Sequence, residues 1–82
     1  MINVGKLTYE QCLWLQVHTI NDVEKACQNH NMRYLDEYEE EKLEKKVKEP
    51  MLILEKLGKA GFEVNFETSV MQDAWIWWLG RK

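Results

Sequence analysis

Eighty-two residues with 11 Lys+Arg against 14 Asp+Glu carry a formal charge of −3, and 45% of the chain is apolar. That is the composition of an ordinary globular domain, and the length allows one domain, residues 1–82, with a thin stability margin. No apolar run is long enough to span a membrane, no leader-like opening is expected, and the acidic balance argues against binding a nucleic-acid backbone.

Residues 1–7 read as a short edge strand through Ile2 and Val4, or as an arm. Thr8 and Gln11 then form a Thr-x-x-Gln capping box, with Leu7 and Cys12 at the staple positions. Tyr9, Leu13, Val17, Ile20, Val23 and Cys27 follow at helical spacing, so they are expected to be the buried face of a first helix. Trp14 lies off that stripe. On one helix Cys12 and Cys27 would stand ~22 Å apart, too far for a disulfide. Both read as small buried hydrophobes in a reducing, cytoplasmic setting. The polar run Gln28-Asn29-His30-Asn31 reads as the loop.

A second helix is expected from Tyr34 or Asp36 to about Leu57. Its start is acidic and its middle basic, which suits the helix dipole. Glu41–Lys45 and Glu44–Lys48 are favourable i,i+4 pairs. Glu39, Glu40, Glu41, Lys45 and Lys46 should face solvent. Leu35, Tyr38, Leu43, Val47, Met51, Leu54 and Leu57 form a narrow apolar stripe. Such a sparse stripe between charged flanks suggests a protruding helix or one half of a helix–helix pair, and an antiparallel homodimer built on residues 35–54 is expected. Pro50 predicts a kink near Val47 or a new helix start. Gly58 reads as a left-handed cap, with Gly61 closing the turn.

Phe62, Val64 and Phe66 alternate with Glu63, Asn65 and Glu67, the pattern of a half-buried strand. Trp75-Ile76-Trp77-Trp78-Leu79 is rich in β formers. The fold expected from these elements is therefore α+β: two main helices followed by a short Trp-rich hairpin. The alternative is an all-α domain with residues 69–79 as a third helix, because Ser69 and Gln72 also have capping-box spacing.

Catalytic chemistry finds little here. Cys12, Cys27, Ser69, His18 and His30 stand in no nucleophile signature. Cys27 and His30 have ligand-like spacing, but no second pair completes a metal site. The Gly58–Gly61 turn follows a helix instead of opening one, which is the wrong direction for a phosphate cradle. The run 36–41 could imitate a phosphate backbone, yet lysines follow at once, and a solvated helix face explains it. No catalytic residue, metal or cofactor is expected.

Trp75, Trp77, Trp78 and Arg81, together with Trp14, are the candidate partner-binding residues, since Trp and Arg dominate interface energetics. In size, acidity and lack of catalytic motifs the chain resembles phage-encoded accessory proteins that bind and block host factors, a likeness of composition alone. The function expected is non-enzymatic binding of another protein, as an inhibitor or adaptor. The second reading is capture of a nucleotide-like ligand between Trp and Arg or Lys side chains.

Overall fold

The computed structural model describes residues 3–64 and 66–81. Ile2 and Asn65, read above as parts of an edge strand and of the half-buried strand, lie outside them. A 3-10 turn at Val4–Lys6 precedes three helices: α1 (Tyr9–Cys27), α2 (Glu37–Lys59) and α3 (Ser69–Gly80). Among the described residues there is no strand. The fold is all-helical, which overturns the expected α+β fold with its hairpin and agrees with the alternative.

The helix starts follow from local chemistry. Thr8 Oγ1 accepts from the Gln11 N–H at 3.2 Å, and Gln11 Oε1 accepts from the Thr8 N–H at 3.0 Å. Both halves of the capping box are therefore made. Asp36 caps α2 by accepting from the Glu39 N–H at 2.7 Å. Thr68 caps α3, accepting from the Met71 N–H at 3.2 Å, so the true cap lies one residue before Ser69.

The end of α2 corrects the reading of its glycines. Gly58 is helical, and Gly61 is the residue in the left-handed region, at φ 99°. The Phe62 N–H reaches the Leu57 carbonyl at 2.9 Å and the Gly61 N–H reaches that of Gly58 at 3.1 Å, which is the paired bonding of a Schellman motif. A Cβ at Gly58 would meet nothing within 4 Å. Gly58→Ala is thus expected to stabilise by about 0.5–1 kcal/mol, and Gly61→Ala to destabilise by about as much. Urea unfolding of the two variants would show midpoints moving in opposite directions. Pro50 lies inside α2 without ending it, so no separate helix starts there. Its missing N–H leaves the Lys46 carbonyl without an intrahelical donor.

The core forms where the two long helices meet. Leu43, Val47, Met51, Leu54 and Leu57 of α2 are 0–1% exposed. Opposite them α1 buries Cys12, Gln16, Thr19, Val23 and Cys27. Half of the expected face holds: Val23 and Cys27 are buried and Ile20 is half-buried, but Tyr9, Leu13 and Val17 are exposed, while Gln16 and Thr19 are inside. The α2 row packs against this mixed set, and the large Tyr9, Leu13 and Trp14 side chains are left outside. The two polar residues are satisfied in place. Thr19 Oγ1 donates to the Leu15 carbonyl at 2.6 Å, and Gln16 Nε2 donates to the Glu63 carbonyl at 2.7 Å and to that of Phe62 at 3.4 Å.

Gln16 also shows what became of the expected strand. Phe62, Val64 and Phe66 are half-buried and Glu63 and Glu67 exposed, so the alternation is real. The segment lies beside α1, however, and a side-chain amide supplies hydrogen bonds that a partner strand would have given. The Trp-rich segment is helical because Met71, Ala74 and Trp78 fall on one helical face and are buried together. A two-stranded ribbon alone is marginal in water, and packing on α1 and α2 overrides the β preference of Trp and Ile.

Candidate functional site

The most distinctive surface of the chain is the outer side of α1. Tyr9 is 68% exposed, Leu13 38%, Trp14 63% and Val17 59%. Tyr9, Leu13 and Val17 follow at four-residue spacing, so they line one side of the helix, with Trp14 on its flank. The Trp14 ring lies 4.0 Å from the His18 ring, centroid to centroid, and the Tyr9 ring lies 5.3 Å from that of Phe62. A groove of about 290 Å³ runs along this side of α1, where Val17, Ile20 and Glu24 face Glu67 and Thr68. Glu24 accepts from Thr68 Oγ1 at 2.9 Å across it. Free apolar side chains and a shallow groove therefore adjoin at Val17.

The candidate partner-binding residues divide. Trp14 stands open on this face. The others lie on α3 or, for Arg81, at its C-terminal cap, and turn toward their own chain. Trp78 is 5% exposed, and Trp75 and Trp77 are half-buried. Trp75 lies against Phe66, ring centroids 6.1 Å apart. Arg81 reaches Glu40 at 2.8 Å and Glu44 at 2.6 Å, with its guanidinium 5.3 Å from the centre of the Trp77 ring. The hydrogen bond to Glu44, then the charges of Glu44 and Glu40, push the Arg81 guanidinium above its ordinary range. Arg81 thus ties the end of α3 to the first half of α2. Glu44 turns to Arg81 instead of Lys48, and Glu40 is half-buried by the same contact. Ile76 at 61% and Leu79 at 47% form the open side of α3. The hairpin reading hid that pair, which the helical alternative exposes.

The residues proposed for a helix–helix dimer also divide. Leu43, Val47, Met51 and Leu54 lie in the core of the single chain, Leu35 is half-buried, and Tyr38 is 65% exposed beneath the Lys42 ammonium at 4.4 Å. A second copy would reach the first four only by opening that core. Glu41, Lys45 and Lys46 are exposed, whereas Glu39 is half-buried and its carboxylate lies 3.0 Å from His30 Nδ1. His30 is therefore engaged on the start of α2. No group of three or more His, Cys, Asp or Glu residues among the described ones could hold a metal ion. Among them, no helix is long and apolar enough to cross a membrane.

Cys12 and Cys27 are free and buried. Burial pushes the Cys27 thiol up to about 11 from its ordinary 9.0. Its folded-state pKa is raised, so the stability contributed by the neutral thiol is full below about pH 9 and is lost as pH rises toward 11. At pH 8 an alkylating reagent is expected to modify Cys27 only as fast as the chain opens. Rapid modification of the folded protein would contradict this placement.

Comparison of the chain with protein-family models, curated proteins and solved structures gives no significant match.

Proposed function

We propose that this chain is a non-enzymatic protein-binding module that docks through the outer side of α1. The observation that carries the reading is the exposure of Tyr9, Leu13, Trp14 and Val17 over successive turns of one helix. An amphipathic helix laid against a partner uses this spacing of anchors, and Trp and Tyr supply large contact area at low entropic cost. A docking face without a reaction centre suits an inhibitor or adaptor, which acts by occupying its partner's surface. The cytoplasm is the compartment that suits two free, buried thiols. Nucleotide capture is the weaker reading because the cation it needs beside Trp77 is already held by Glu40 and Glu44.

The test is photo-crosslinking in the native host, with benzoylphenylalanine placed at position 14 or, as a control, at position 46. Covalent protein adducts are expected from position 14 and not from position 46. Equal yields at the two positions, or none at position 14, would overturn the reading.

A further inference from the structure

Two buried side-chain donors lack an acceptor among the described residues, and both are indole N–H groups of α3, on Trp77 and Trp78. Docking this helix therefore leaves two hydrogen bonds unmade that water restores once it swings out. Its apolar grip is also the smallest of the three helices: Met71, Ala74 and Trp78 are buried, against five residues each on α1 and α2. Ion pairs supply much of the remaining hold. Arg81, at the far end, reaches Glu40 at 2.8 Å and Glu44 at 2.6 Å on α2, and Asp73 reaches Arg33, between α1 and α2, at 3.4 Å. All five side chains are at least a quarter exposed, so water and salt weaken these contacts. Thr68, at the near end, caps the helix and donates its hydroxyl to Glu24 at 2.9 Å, which fixes the point about which α3 turns.

We infer that α3 is a latched strap: it releases from α1 and α2 as one unit, at a lower free energy than global unfolding, and Arg81 is its latch. Release brings Trp77, Trp78 and Arg81 into water together. These are aromatic and cationic groups that the sequence singles out for binding, so the closed chain shelters them and the open one presents them. The device uses none of Tyr9, Leu13, Trp14 and Val17 and stands independently of the docking proposal.

Native-state hydrogen exchange, read residue by residue, tests it. The amides of residues 73–80 should share one protection factor, at least about tenfold below that of the most protected amides of α1 and α2. Arg81→Ala loosens the closed state, so α3 exchange should speed about three- to tenfold. Ile53→Ala separates local release from global unfolding. Ile53 lines the cleft between α1 and α2 with Leu15 and Thr19, and those contacts persist when α3 is out. That variant should speed exchange in α1 and α2 by about tenfold and leave α3 at its wild-type rate. Equal acceleration of all three helices by Ile53→Ala would mean that α3 opens only with the whole chain, and would overturn the inference. Exchange of α3 unmoved by Arg81→Ala would overturn it as well, because the latch would then hold nothing.

Discussion

Leu54→Ala is expected to remove about 2–5 kcal/mol of stability, the range for truncating a fully buried leucine that leaves a cavity. Leu54 is 0% exposed and sits in the row that α2 presses against the small residues of α1. Those small side chains lie opposite, so they have little reach to refill the space. A chain of this length has a total stability of about 4–12 kcal/mol, and one substitution would therefore take a large share of it. Urea unfolding followed by circular dichroism measures the change. A loss below about 1 kcal/mol would mean that α1 and α2 are not packed as described.

Trp78 should be as sensitive to truncation and much more tolerant of replacement by another ring. Trp78→Ala is expected to cost about 3–5 kcal/mol, since the side chain is 5% exposed and joins α3 to the core. Its indole N–H, however, is buried without an acceptor among the described residues, as is that of Trp77. An unmade hydrogen bond of this kind costs about 1–3 kcal/mol. Trp78→Phe removes the orphaned donor while keeping an aromatic ring in the site, so its net loss should stay below about 1.5 kcal/mol. Equal losses for the two variants in urea unfolding would show that shape alone, and not the unpaired donor, governs the site.

The starts of α1 and α2 were the legible part of this chain because their chemistry is local. Thr8 with Gln11, and Asp36 before an acidic turn, announce α1 and α2 within four residues each. The buried row of α2 was equally plain, since Leu43, Val47, Met51, Leu54 and Leu57 are apolar without exception. What it packs against was not plain. Reading Leu43 to Leu54 as a dimer surface failed to allow that a neighbouring helix of the same chain would cover them. The first half of the α1 face was misread because hydropathy favours Leu13 and Val17 over Gln16 and Thr19, whereas Gln16 is satisfied inside by carbonyls 46 and 47 positions away, which leave no local signal. In α3 the β preference of Trp and Ile outweighed a cap displaced by one residue. The Arg81 contacts with Glu40 and Glu44 join residues 41 and 37 positions apart and leave no local signal.

A free outer face on α1 is the claim on which the docking proposal depends, and Val17→Ser tests it most directly. Position 17 lies in the stripe that hydropathy assigns to the core, yet the structure leaves it 59% exposed. Urea unfolding at about 1 µM reads the intrinsic stability of the chain. A change within about 0.5 kcal/mol is expected, as for other open surface positions. A loss above about 2 kcal/mol would place Val17 in the core and contradict the account.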